Sequence, residues 1–462
     1  MTQIIKSICP ATGDIVWEGA VATAAQVQNA VAKARKAFAD WSLTSFTHRA
    51  DIAQKYAEAV REKTEAIALA ISKDMGKPLW EARTEAGAMA NKVAVSIQSY
   101  EERTPTRRTE TTQLTHRPHG VMAVFGPFNF PGHLPNGHII PSLLAGNTVV
   151  FKPSELTPQV AEIMGTCWAK AGLPDGVLNI VQGARETGAA LLDADIDGLL
   201  FTGSAATGSF FHKHFAGRPE VLLALEMGGN NPLIIHEPVD VEVAADLAFM
   251  SGFITAGQRC TCARRLVLPT GKFGDAVIEA LQAKIAAVKI GRWDVEDIFM
   301  GPVVNTAAAE AAIKFEADLI SRGGTSLTAL ERDGAFLRPG LIDVTGVSVP
   351  DEELFAPFVQ IIRTPDLDAA ITAANDTRFG LASGLICEDA AKWDYAQPRL
   401  RAGIVNWNKP TTGAASTLPF GGPGLSGNHR PAAYYAADYC AWPQAGQIAE
   451  TAASPSMRGL YV

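Results

Sequence analysis

Two side chains in this 462-residue sequence have the type and setting for chemistry at a carbonyl carbon. Cys260 stands in Gly257-Gln-Arg-Cys260-Thr-Cys262-Ala-Arg-Arg265, between a glycine turn and the cationic Arg259. A thiolate adds readily to a carbonyl carbon, and a neighbouring guanidinium favours the charged form of the sulfur. Glu226 lies 34 residues upstream, in Leu225-Glu226-Met-Gly-Gly-Asn-Asn231-Pro232, and offers a carboxylate base. Taken singly, such a cysteine is a small core residue and such a glutamate a surface charge. Cys262 reads as a bystander.

Whatever holds these two groups is large. With 47% hydrophobic residues the chain can bury a sizeable core, and its length suggests two or three domains. The net charge of −8 gives no reason to expect nucleic acid or an anionic membrane surface as partner. Six cysteines, at 9, 167, 260, 262, 387 and 440, are too sparse for a disulfide framework, and reducing conditions suit a working thiol. The start lacks the apolar core of a signal peptide, and no run approaches 18 apolar residues. The expected location is cytoplasmic.

Apolar residues recur at helical spacing over 23–41, 47–73 and 79–100, an α-rich opening. Residues 103–119 alternate and are rich in Thr and Arg, as an exposed β-ribbon or a linker would be. From Gly120 onward short apolar strands at 121–125, 147–151, 178–181 and 198–201 alternate with helices at 158–172 and 206–216. A second set follows Glu226, with helices near 241–256, 273–288, 305–323 and 367–375. Both sets read as βαβ units around a parallel sheet, an α/β fold with two such domains. The segment beyond Pro443 reads as a docking strand or a frayed tail.

A dinucleotide fingerprint needs a strand before it and a helix after it, because the helix N-terminus meets the pyrophosphate. Gly422-Pro-Gly424-Leu-Ser-Gly427 has the spacing without that context. Leu199-Leu-Phe201-Thr-Gly203-Ser204-Ala-Ala-Thr-Gly208 has the context, with Ser204 able to donate to a phosphate oxygen.

Together the Cys260 and Glu226 motifs resemble the paired active-site signatures of the aldehyde dehydrogenase superfamily. The resemblance implies two Rossmann-like parallel-sheet domains and a β-ribbon for oligomer contacts: 1–102 and 118–227 binding NAD, 228–430 catalytic, 103–117 and 431–462 ribbon and tail. It implies a homodimer or homotetramer. It places Lys152, Ser154 and Glu155 in an adenosine-ribose clamp, and a carboxylate there accepts from a 2′-OH but repels a 2′-phosphate, which favours NAD. Pro127, Phe128, Gly183, Gly188, Phe201, Gly203, Ser204 and Gly208 fall on the rest of the cofactor site, with Glu353 and Phe355 at the nicotinamide ribose. Ala356 stands where the motif usually has glycine, and is strained if the backbone needs a positive φ.

Asn129, in Pro127-Phe128-Asn129-Phe130-Pro131, matches the family's oxyanion-hole residue, paired with the Cys260 N–H. Glu226 implies hydrolysis of the acyl-enzyme, because relatives that pass the acyl group to coenzyme A generally lack it. Arg265 reads as a structural ion pair. The wordings Phe130-Pro-Gly-His133-Leu-Pro-Asn-Gly137-His138, Asn406-Trp-Asn-Lys409 and Asn428-His-Arg430 are similar to the branch that oxidises N-succinylglutamate 5-semialdehyde in arginine catabolism. That resemblance implies an extended, anionic aldehyde in a tunnel opened by Gly137. Lys92 and Arg259 would hold its carboxylates, with Ser416 and Phe420 on the wall. The alternatives are another acidic semialdehyde, or a non-catalytic structural protein on the same scaffold. His133 and His138 read as tunnel polar groups or loop packing. His116 and His119 lack the further ligands a metal needs. The N-terminus leaves little room for a strand before Cys9.

Overall fold

The computed structural model describes residues 3–455 and 459; the ends of the expected first segment and tail, 1–2, 456–458 and 460–462, lie outside the described residues. Five strands form a parallel sheet in the order Leu178–Ile180, Thr148–Lys152, Val121–Phe125, Gly198–Gly203, Leu222–Met227. Val121–Phe125 is buried along its whole length, because both faces are covered. Met122 and Val124 pack under the helices Phe46–Glu62, Leu79–Arg103 and His133–Ala145, while Val121, Ala123 and Phe125 pack under Ala24–Trp41 and Arg185–Leu192. The chain runs from Val121–Phe125 outward to one edge and restarts on its other side at Gly198–Gly203. That reversal opens a crevice at the carboxyl ends of the two strands, where ligands of such sheets bind.

Seven strands make the second sheet, in the order Thr325–Thr328, Gly340–Asp343, Phe358–Thr364, Ala263–Pro269, Asn231–Ile235, Ala382–Ile386, Ile404–Trp407. All its neighbours are parallel except the first pair, an antiparallel edge that helical periodicity did not foretell. Glu226 is the penultimate residue of the last strand of the first sheet and Asn231 opens a central strand of the second, so the base sits at the junction. A third sheet pairs Thr112–Pro118 antiparallel with Arg107–Arg108 on one side and Ala441–Gln447 on the other, so the late segment docks as a strand on the ribbon. Among the described residues no helix is long and apolar enough to cross a membrane.

Three elements differ from expectation. The N-terminus does hold a leading strand: Ile4–Ile8 pairs with Ile15–Ala20, and Ser7 Oγ donates to Asp74 at 2.7 Å. Five residues suffice because the hairpin folds back through a left-handed Gly13. The 47–73 pattern splits into Phe46–Glu62 and Thr64–Met75, where the Thr64 hydroxyl takes the Arg61 carbonyl at 2.8 Å from the helix ladder. The helix starting at Val241 stops at Phe253, because Thr255, Ala256 and Gly257 have φ of 58°, 53° and 71°.

Candidate active site

Cys260 lines two cavities that meet at it, one of about 340 Å³ and one of about 200 Å³. Leu134, Thr202, Glu226 and Phe420 line both with it, so the three elements bearing Thr202, Glu226 and Cys260 converge on one point. The Asn231 side chain fixes the nucleophile loop by donating to Cys260 O at 2.7 Å and Cys262 O at 2.9 Å, while its oxygen accepts from Ala382 N. Sequence reading missed Asn231; its place directly after Glu226-Met-Gly-Gly-Asn was the available signal. Asn129 is buried and spends one amide hydrogen on Gln258 O at 3.0 Å, which aims the rest of the amide.

Burial, followed by the charges of Glu353 and Glu226, pushes the Cys260 thiol above its usual range, against an opposing pull from Arg264. The guanidinium that acts on the sulfur is therefore that of Arg264, which sequence reading passed over. Arg259 turns away, donating to Glu81 Oε1 at 2.9 Å and Thr255 Oγ1 at 2.8 Å. Glu226 is raised well above the carboxylate range by burial, with a single bond from Ala432 N to its Oε1 at 3.2 Å. Its Oε2 is buried with no partner among the described residues. The Gly422–Gly427 run that has the fingerprint spacing, and Gly421 just before it, bring backbone to this carboxylate: a Cβ on Gly421 would lie 2.8 Å from Glu226 Oε1, and Gly427 bridges to the Glu226 backbone.

The larger cavity lies at the crevice of the five-stranded sheet. Pro127, Phe128, Asn129, Ser154, Phe201, Gly203, Ser204, Glu353 and Phe355 line it. Ser204 caps the helix Ala205–His214, accepting from Thr207 N, and both residues line the cavity, which puts a helix N-terminus, the end that suits an anion, at its wall. Lys152, Glu155, Gly183, Gly188 and Gly208 lie outside this wall. Lys152 Nζ donates to Gly183 O at 2.7 Å and stands 3.5 Å from Glu155, and a Cβ on Gly188 would come within 3.6 Å of Lys152. Gly208 is packed on Met227, whose sulfur would be 2.2 Å from a Cβ there. Burial raises Glu353 to about 7, and its Oε1 accepts from Gly229 N. Capped helix, exposed Glu155 and half-buried Glu353 suit a dinucleotide with its ribose hydroxyls.

The smaller cavity brings together all five expected substrate residues: Lys92, Gly137, Arg259, Ser416 and Phe420. Lys92 is only 3% exposed, has no ion-pair or hydrogen-bond partner among the described residues, and is lowered to about 8 by burial. Its neighbours are neutral, since burial and then Lys92 hold His133 and His138 near 3. His138 also bonds Tyr439 OH at 2.9 Å and Thr202 Oγ1 at 3.0 Å, so it is both cavity wall and packing. A Cβ on Gly137 would meet only Lys92 Cε, at 3.8 Å. The empty position keeps the path to the amine open.

Two expectations are corrected. Ala356 is not among the positive-φ residues; the strain falls on Gly257, where a Cβ would lie 2.1 Å from Ala356 O. Arg265 makes no ion pair among the described residues, and instead donates to the carbonyls of Asn230, Ala373, Ala374 and Asp376.

A thiol, a carboxyl and an amide at the meeting point of a dinucleotide crevice and a tunnel define an aldehyde-oxidising enzyme, and the chain belongs to the aldehyde dehydrogenase family, whose model matches residues 1–443. It is an oxidoreductase that uses a nicotinamide cofactor. The chain is similar to the N-succinylglutamate 5-semialdehyde dehydrogenase of Ectopseudomonas mendocina, 53% identical over 462 residues, 98% of this chain and 95% of that one. The enzyme of the same name from Burkholderia multivorans is 53% identical over 94% of this chain and 92% of its own. Among solved structures, an aldehyde dehydrogenase of Pseudomonas syringae in complex with NAD+ and octanal has a TM-score of 0.91 at 30% identity, covering 96% of this chain and 93% of its own.

Proposed function

We propose that this enzyme oxidises N-succinylglutamate 5-semialdehyde to N-succinylglutamate with NAD, in the cytoplasm, as a step of arginine catabolism. The observation that carries the substrate is Lys92: a buried cation without a counter-ion among the described residues, facing a tunnel that ends at the nucleophile. The other charges nearby cancel, since Lys77 pairs with Glu85 at 2.6 Å and Arg259 with Glu81 at 2.9 Å. An anionic tail is what such a tunnel lacks. Relatives named for this aldehyde match almost the whole chain. Lys92 takes a substrate carboxylate, while Arg259, already paired, offers a second contact on the same wall.

In the reaction the Cys260 thiol gives its proton to the Glu226 carboxylate or to water, its sulfur bonds to the aldehyde carbon, and the carbonyl oxygen becomes an oxyanion held by Asn129 and the Cys260 N–H. The oxyanion collapses with loss of hydride and leaves a thioester; the nicotinamide, when bound, supplies the hydride acceptor. Glu226, once deprotonated, takes a proton from water, whose oxygen attacks the thioester carbon. The C–S bond breaks, and sulfur regains a proton. Ser204 and the helix behind it would hold the pyrophosphate, Lys152 and Glu155 the adenosine ribose, and Glu353 and Phe355 the nicotinamide ribose.

A substrate panel tests the reading: kcat/KM for N-succinylglutamate 5-semialdehyde should exceed that for glutamate or succinate semialdehyde by tenfold or more. Parity across the panel would refute it. Glu155 should also make NADP a poorer cofactor than NAD by a similar factor, read from the two kcat/KM values.

A further inference from the structure

The turn that delivers the nucleophile has a backbone that its residues do not favour. Thr255 (φ 58°, ψ 30°), Ala256 (φ 53°, ψ 39°) and Gly257 (φ 71°) are three consecutive left-handed residues just ahead of Cys260. In L-residues the Cβ crowds the carbonyl oxygen there, and a β-branched threonine is especially ill suited. Such a turn persists only where its surroundings over-determine it. The turn cannot relax outward, because Gly257 is pressed on the Ala356 carbonyl.

The restraints come from two sides. On the nucleophile's own domain, Arg264 donates to Gly257 O at 2.6 Å and to Arg259 O at 3.0 Å, and Gln258 Nε2 donates to Thr255 O at 3.1 Å. From the helix Leu79–Arg103 comes Glu81, only 1% exposed. Its Oε1 accepts from the Thr255 hydroxyl and from Arg259 Nη2, and Arg259 Nε closes the triangle on Thr255 Oγ1. One carboxylate oxygen thus grips both the first residue of the left-handed turn and the residue before the nucleophile. Next along the same helix, Glu85 Oε1 accepts from Gly132 N at 3.0 Å and His133 N at 3.2 Å, holding the loop that follows Asn129.

We propose that Glu81 is a positioning residue for Cys260: by clamping Thr255 and Arg259 it holds the left-handed turn and sets where the sulfur stands relative to Asn129 and Glu226. Glu81 touches no substrate. The inference rests on Cys260 as the nucleophile and is independent of which aldehyde the tunnel takes.

The test uses the full-length enzyme with NAD, an anionic semialdehyde and a neutral short aldehyde. Glu81→Ala should lower kcat about thirtyfold for both aldehydes, leave each KM within about threefold, and slow alkylation of Cys260 by iodoacetamide. Adding Thr255→Gly should recover at least about fivefold in kcat, because glycine adopts the turn without strain. A purely structural ion pair would not be rescued by a glycine at another residue. Unchanged kcat, a loss confined to KM of the anionic aldehyde, or no recovery with glycine would each overturn the proposal. If Glu81→Ala does not fold, Thr255→Val carries the test: a fall in kcat of about fivefold or more with KM retained supports the clamp, and wild-type kcat overturns it. Turnover surviving in Cys260→Ala would overturn the nucleophile assignment as well, which separates that failure from failure of the clamp alone.

Discussion

Burial is the largest cause that raises both the Cys260 thiol and the Glu226 carboxyl above their ordinary ranges. A group that must lose a proton to act, and whose pKa is raised, gains activity as pH rises. For a neutral aldehyde, kcat/KM should therefore climb without a plateau from about pH 6 to 9, which a pH profile reads directly. Cys260→Ala should abolish oxidation while NAD binding, followed by fluorescence, persists; turnover in that variant would transfer the role to another sulfur. Glu226→Gln should keep a burst of NADH and stall as a thioester that acid quench can trap, because hydride loss precedes the step needing a base. Asn129→Ala should cost about a hundred- to a thousandfold in kcat, the typical loss for one oxyanion donor.

The helix Leu79–Arg103 carries Glu81, Glu85, Met89 and Lys92 on one buried face: Glu81 meets the nucleophile turn, Glu85 and Met89 the loop after Asn129, and Lys92 the tunnel. Helical spacing made this element legible, and the resemblance placed Lys92 on the tunnel. Glu81 and Glu85 stayed hidden, because periodicity reports which face is buried and not what covers it, and Arg259 is 178 residues from Glu81. Left-handed residues at Thr255 and Ala256 were equally illegible, since neither residue type signals that conformation. The nucleophile, base and oxyanion residue were readable because their local motifs carry them. Lys92 has a consequence in pH. Held at about 8 against an ordinary 10.5, it is charged below that pH and loses its charge as pH rises through it. KM for the dicarboxylic aldehyde should rise about tenfold per unit above pH 8, while a neutral aldehyde shows no such limb. Lys92→Met should raise KM for the dicarboxylate about tenfold or more at neutral pH, as loss of a charge-assisted bond worth about 1.5–3 kcal/mol requires. Equal damage to both aldehydes would assign Lys92 to the fold instead.

At the scale of the molecule, the segment that follows the second sheet ties the base to the ribbon. Asn428 accepts from Leu225 N, Ala432 N donates to Glu226, Arg103 pairs with Asp438, and Ala441–Gln447 then docks on Thr112–Pro118. The alternation of 103–119 read as a ribbon or a linker; its partner strand was legible only as one of two alternatives, a docking strand or a frayed tail, because polar small residues suit a strand only once an edge is offered. That docking leaves Ala441–Gln447 as a seven-residue edge with Trp442 62% exposed. Proteins cover such edges, and we propose that a second copy of the chain covers this one. Trp442→Lys should shift the mass measured by light scattering toward the monomer. Neither cavity is lined by any residue of the ribbon, so the NADH burst per chain should stay within about twofold of the parent. An unchanged mass would remove Trp442 from the interface. A lost burst would mean that the tie through Ala432 transmits the ribbon's packing to Glu226, and that assembly and catalysis are coupled.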